Sequence, residues 1–175
     1  MTEEFYIGYI CENEYPDGMV EWCDNNNATI EEIEPLGGNR RFEIVAIPAP
    51  TLEEVKAYKY TDALTKANSF IKNEAYFRFD EYNTIEATDG KIGKMTAYAL
   101  GFNAGIFESV SWTSKEDNVL TLDVNDVMRI LTGLGSVQAN IWNVQYIAYK
   151  TAIENALTVE DVQNILIEYT NEVVE

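Results

Sequence analysis

A chain of 175 residues has room for one domain or for a small module joined to a larger one, and is long enough to bury a core. Its 46% apolar and 12% aromatic content belongs to a globular chain, and a formal charge of -18, from 30 acidic and 12 basic residues, opposes the counterion release that draws proteins onto phosphate backbones. No apolar run approaches the ~20 residues that span a bilayer, and the opening Met-Thr-Glu-Glu lacks the basic and apolar regions of a signal peptide, so neither nucleic acid, membrane nor signal-peptide export is expected.

The acidity is densest at the start. Residues 1–50 hold eleven acidic residues against Arg40 and Arg41, while residues 51–175 hold nineteen acidic against ten basic. Such a surface keeps a protein in solution and also suits docking on a basic partner. Two cysteines, Cys11 and Cys23, cannot form a disulfide framework and read as small buried hydrophobes.

In chain order, Phe5 to Cys11 is aromatic and β-branched and predicts a strand of ~6 residues ending at Glu12-Asn13-Glu14. The next stretch, YPDGMVEWCDNNNATIEEIE, has two readings. Pro16-Asp17-Gly18 closes a hairpin, or Pro16 opens a helix in which Met19, Trp22 and Cys23 form one buried stripe and the asparagine run supplies the left-handed exit. The helix explains both ends and is preferred. Thr29 to Glu34 alternates weakly, Gly37-Gly38-Asn39 is a turn, and Arg41 to Ile47 is the clearest strand, so the last two runs should pair antiparallel. Pro48-Ala49-Pro50 then continues neither ladder nor helix and bounds a βαββ module over residues 1–50.

Thr51-Leu52-Glu53-Glu54 is a capping box for a helix running to about Asn73, with Tyr60, Leu64, Ala67, Phe70 and Ile71 on one side. Tyr76 to Phe79 reads as a short strand or extended segment. A second helix starts near Thr88-Asp89, passes Ile92, Met95, Ala99 and Leu100, and stops between Gly101 and Gly105. Residues 108–122 form a β-hairpin around Ser114 to Asn118. Asp123 caps a long helical pattern through Val127, Ile130, Leu134, Val137, Ile141, Val144, Ile147 and Ile153, bent or loosened at Gly133 and Gly135. Thr158 caps a last helix burying Val162, Ile165, Leu166 and Tyr169. The fold class is thus α+β: a small N-terminal βαββ module followed, over residues 51–175, by a mainly helical domain with one β-hairpin and a long C-terminal helix.

Chemistry is tested by elimination. With no histidine in the chain, Ser-His-Asp and Cys-His nucleophiles and His-based zinc sites are impossible. Glu21 and Asp24 raise rather than lower a Cys23 thiol pKa. Asp24 to Asn27 lacks the glycine and distal glutamate of a calcium loop, and Gly133-Leu134-Gly135 lacks the third glycine and preceding strand of a dinucleotide loop. No metal or cofactor is expected. What remains is Tyr76, Asp80, Glu81 and Tyr82, where aromatic faces beside carboxylates suit packing, sugar stacking or an acid–base pair. Trp142 and Tyr146, near the middle of the long helix, are candidates for a self-association surface and hence a homo-oligomer.

Two stretches carry a resemblance. YPDGMVEWCDNNNATIEEIE with RRFEIVAIPAPTLEE, and FRFDEYNT through SVSWTSKEDNVLTLDVNDV to YKTAIENALTVEDVQNI, resemble small proteins of tailed bacteriophages and prophages, some encoded beside tail-fibre and tail-fibre-assembly genes. The matching positions are Trp22, Cys23, Ile47, Asp80, Trp112, Asp117, Asn118 and Ile153, with Asp24 standing where the group often has Asn. The resemblance implies a non-enzymatic tail-associated protein, a virion component or an assembly factor, found in the virion or the host cytoplasm and partnered by a tail or fibre protein. A carbohydrate-binding module or weak glycosidase built on residues 76–82, and an acidic protein binding a basic host factor, are the competing expectations.

Overall fold

The structure is a computed structural model, and it describes residues 5–171. The protein is α+β, with helices alongside small antiparallel sheets. The chain divides into two compact units, one ending at Pro50 and the other starting at Thr51.

The first unit comprises β1 (Ile10–Glu12), α1 (Met19–Asn25), β2 (Ala28–Leu36) and β3 (Asn39–Ala46), with sheet order β1-β3-β2. The first strand is shorter than its composition predicts. Gly8 is left-handed at φ 91° and the Tyr9 N–H turns back to the Tyr6 carbonyl, so the ladder to β3 becomes regular only at Ile10. The helix reading of the next stretch holds, but Gly18, at φ 85°, opens it instead of Pro16, whose carbonyl accepts from the Met19 N–H. Asn27, at φ 51°, makes the left-handed exit. Gly37 and Gly38, both at positive φ, form the two-residue connection between β2 and β3. The β2–β3 register shifts between Ile33 and Leu36, where Pro35 has no N–H to give.

One face of this sheet is covered. Met19 and Cys23 of α1 pack on Ala28 and Ile44, flanked by half-buried Phe5, Tyr9, Cys11, Trp22 and Ile30. The other face carries Ile10 and Glu12 of β1, Arg41, Glu43 and Val45 of β3, and Thr29, Glu31 and Ile33 of β2. Glu43 stands directly opposite Glu31, a like-charge pair that costs the sheet stability.

The second unit opens with α2 (Leu52–Asn73), started by the expected capping box: the Thr51 N–H donates to Glu54 Oε2 at 2.7 Å and the Glu54 N–H to Thr51 Oγ1 at 3.3 Å. It continues through β4 (Tyr76–Arg78), β5 (Thr84–Glu86), α3 (Asp89–Asn103), β6 (Val110–Thr113) and β7 (Val119–Leu122). Both strand pairs are antiparallel two-stranded sheets, so this unit holds two hairpins rather than one. A helical rod follows: α4 (Val124–Asn140), a π-helical turn at Ile141–Tyr146 and α5 (Ile147–Asn155). The core joins Ala63, Ala67 and Phe70 of α2 to Met95, Ile85, Trp112 and the α4 stripe Val127, Ile130, Leu134 and Val137. Leu64 and Leu100, placed inside by periodicity, are exposed, and Ala63 takes the inward position on α2.

The long rod departs from expectation at two places. The glycines do not mark its irregularity, which is the π turn; Val144 and Ile147, beyond its first residues, are each 48% exposed. Gly133 instead admits a neighbour, since a Cβ there would lie 2.3 Å from the Phe77 ring, whereas one at Gly135 would meet open space.

The last helix also ends early. α6 (Val159–Gln163) is capped by Thr158, and the chain then runs extended through residues 165–171. Burial switches to period two: Ile167 and Tyr169 are buried while Leu166 is exposed. This strap is held by side chains. Gln145 donates Nε2 to the Thr170 carbonyl at 2.8 Å and accepts the Thr170 N–H on Oε1 at 2.9 Å. The Tyr149 hydroxyl donates to the Glu168 carbonyl and accepts the Glu168 N–H, and the Tyr169 hydroxyl donates to the Ala63 carbonyl.

Gly133→Ala should lower stability by roughly 1–3 kcal/mol through overpacking against Phe77, although alanine favours a helix. Gly135→Ala should raise it by about 0.5–1 kcal/mol; equal effects of the two in chemical denaturation would refute the close approach. Tyr149→Phe should cost about 1 kcal/mol and speed hydrogen exchange at the Glu168 amide.

Candidate functional site

The run Tyr76 to Tyr82 becomes a β4 strand and the start of a tight connection to β5, in the register Tyr76↔Glu86, Phe77↔Ile85, Arg78↔Thr84. The connection closes on the Asn83 carbonyl, which accepts from the N–H groups of Phe79 and Asp80. The Asp80 carboxylate accepts the Tyr82 N–H at 2.8 Å and the Asn83 side-chain amide at 2.9 and 3.0 Å. The amide of Asn83 holds the Asp80 carboxyl below its ordinary range, helped by the Tyr82 N–H and, through space, by Arg129. Arg129, from α4, stacks its guanidinium 4.1 Å over the Phe79 ring and donates to the Phe79 carbonyl at 3.0 Å.

This loop is joined to the β6–β7 turn. Asn83, nearly buried, accepts from Asn118 Nδ2 at 3.0 Å, and the Asn118 N–H reaches Ser114 Oγ at 3.3 Å. The Lys115 N–H donates to the Thr84 carbonyl at 3.0 Å. In return the Glu116 carboxylate accepts the Thr84 N–H at 2.8 Å and the Thr84 hydroxyl. The hydroxyl and then the N–H of Thr84 hold the Glu116 carboxyl down to about 2. Asp117 takes the left-handed position of the turn at φ 62°.

Asp80, Asn118 and Asp117, matching positions of the resemblance, thus come together as the weld between two hairpins. Glu116, Asn83 and Thr84 complete it and were not singled out by sequence reasoning; the signal was available only as polar residues in two separate turns. A general acid needs a raised carboxyl pKa, and both anchored carboxyls here are lowered, so they stay ionised as acceptors. Glu81 and Tyr82 project from the loop, with Tyr82 71% exposed. The Tyr76 ring is half-buried, with Lys115 Nζ 5.4 Å from its centroid.

The other expected contacts lie elsewhere. Trp142 and Tyr146 sit edge to face at 5.5 Å in the π turn, partly buried against the core, which leaves Val144 and Ile147 as the apolar groups at the surface there. Trp112 is buried beneath Lys94, whose Nζ is 4.8 Å from the ring centroid, and Ile153 is buried. Ile47 is exposed. Cys23 is buried, and burial followed by the nearby Asp24 charge pushes its thiol up, away from thiolate chemistry. Arg40, beside a cleft in the first unit, is bound bidentately to Glu32 at 2.9 Å and lies over Phe42. Among the described residues no group of three or more Cys, Asp or Glu could hold a metal ion, and no helix is long and apolar enough to cross a membrane.

No family model matches the chain, and no match is found among the curated proteins or the solved structures compared with it.

The folded Glu116 carboxyl titrates near 2 against an ordinary value of 4.5. Between these values the unfolded chain binds the extra proton, so the stabilisation is full above about pH 4.5 and is lost as pH falls toward 2. The stability gap between the protein and its Glu116→Gln variant should therefore be constant near neutrality and close in acid. A pH-independent gap in urea titrations would contradict the Thr84–Glu116 contact.

Proposed function

We propose that the chain is a non-enzymatic, tail-associated bacteriophage protein, a virion component or a fibre-assembly factor, working through protein–protein contacts. The phage assignment is supported by the resemblance of its two stretches. The mode of action is supported by one observation above the others: the uncovered face of the first unit's sheet places Ile10, Ile33 and Val45 among Glu12, Glu31 and Glu43. A face that keeps two glutamates directly opposed, at a cost to its own folding, fits a partner that brings basic groups to it. That partner is a tail or fibre protein in the principal reading and a basic host factor in the alternative one.

A second reading is favoured by the Tyr82 ring, which projects beside Glu81 from a loop held rigid by Asp80. Such a platform suits stacking against a sugar. Saturable glycan-array binding lost in Tyr82→Ala would favour it, and no binding would remove it.

Mass spectrometry of purified virions should detect this chain if it is a component, whereas an assembly factor should be found only with unassembled tail parts in infected lysate. Glu31→Lys converts the opposed pair into an attractive one and should stabilise the protein by roughly 0.2–1 kcal/mol. The same substitution should weaken partner capture, more strongly at low salt than at high salt. Unchanged capture from infected lysate would remove this face from the proposal.

A further inference from the structure

The strap over residues 165–171 has two edges, and only one is in use. Gln145 takes both main-chain groups of Thr170, and Tyr149 takes both of Glu168. In an extended chain the N–H and C=O of one residue point to the same edge, and alternate residues point to opposite edges. The main-chain groups of Ile167 and Tyr169 therefore face away from Gln145 and Tyr149, and among the described residues they have no hydrogen-bond partner. On the strap's α2 side lies a cleft of about 390 Å³, lined by Lys66, Ser69, Phe70 and Glu74 of α2 and by Ile167 to Thr170.

We propose that this cleft binds an extended peptide of a partner protein, added as a strand to the Ile167 and Tyr169 edge, with an apolar side chain over Phe70 flanked by lysine or arginine. Main-chain pairing supplies sequence-independent affinity, and the side-chain contacts supply selectivity. The edge is organised before any peptide arrives: the Tyr169 hydroxyl is fixed at 3.0 Å to the Ala63 carbonyl, and Asn171 bridges the Glu74 carbonyl at 3.2 Å and the Tyr76 N–H at 2.8 Å. A peptide that docks there orders only itself. The charges select a basic one. Glu74 and Glu168 line the cleft, while the charge of its single lysine, Lys66, is already met by Asp62 at 3.2 Å. A second copy of the strap is disfavoured, because it would bring another Glu168 to the same acidic place on a chain of formal charge -18. This inference rests on the reading of the chain as a contact protein and adds a second site, on the second unit, to the sheet face of the first.

The test uses the full chain and a seven-residue synthetic peptide alternating lysine and valine. Fluorescence anisotropy should show saturable binding, roughly tenfold or more weaker when alternate amides of the peptide are N-methylated, a change that keeps charge and removes donors. Ser69→Trp, which fills the cleft from an exposed helix position, should abolish binding with the thermal melt unchanged. In the unsubstituted protein the peptide should slow hydrogen exchange at the Ile167 and Tyr169 amides, a readout that needs no variant. Absence of saturable binding, equal binding of the N-methylated peptide, or unaltered exchange at those two amides would each overturn the proposal. So would protection of the same amides by self-association without peptide. Glu31→Lys leaves this cleft intact, so a failure here and a failure of the sheet face are read separately.

Discussion

The approach of Phe77 to the bare backbone of Gly133 is the constraint around which the second unit is arranged. A β-hairpin can lie against a helix at that distance only where the helix has no side chain. With Phe77 seated, Ile85 on the neighbouring strand joins the core and the loop after β4 comes under Arg129 of α4. The same placement brings Thr84 within reach of Glu116, so a packing contact in the core decides which polar groups meet at the surface.

Those polar groups act as struts. Asp80 closes its own loop, Asn83 reaches Asn118, and Glu116 holds Thr84, so two hairpins that share no ladder are tied together by side chains. Two-stranded sheets are marginal by themselves, and these two gain their permanence from α4 beneath and from the side-chain ties between turns. The chemistry that made residues 76–82 attractive as a site is the chemistry that builds this weld. Carboxylates ionised by donated hydrogen bonds are good anchors and poor proton donors.

Much of the architecture was legible where a local rule suffices. The Thr51-to-Glu54 box, the Thr88 and Asp123 caps, the Gly37-Gly38 turn and the stripe from Val127 to Val137 each follow from a short-range preference, and each forms. Illegible were features decided by a distant partner. Ile165 to Tyr169 fits one helical face, yet Ile-Leu-Ile-Glu-Tyr-Thr alternates equally well, and the choice fell to Gln145 and Tyr149, twenty or so residues earlier, which supply the missing strand partner. Gly133 and Gly135 look alike in the sequence, and only the position of Phe77 distinguishes them. At the candidate site Asp80, Asp117 and Asn118 could be picked out, whereas Asn83, Thr84 and Glu116 are ordinary turn residues until the two hairpins are brought side by side.

The π turn at Ile141–Tyr146 carries a consequence for how such a chain can change through time. A π turn is what an α-helix becomes when it absorbs one additional residue without breaking. Loss of a single residue there would leave an unbroken regular helix, satisfied in all its own hydrogen bonds. It would also turn everything beyond it by about 100°, carrying Tyr149 away from Glu168 and releasing the strap. The wide turn is therefore a phase setting, and the alignment of two segments of this chain hangs on a residue whose removal would improve the helix that contains it.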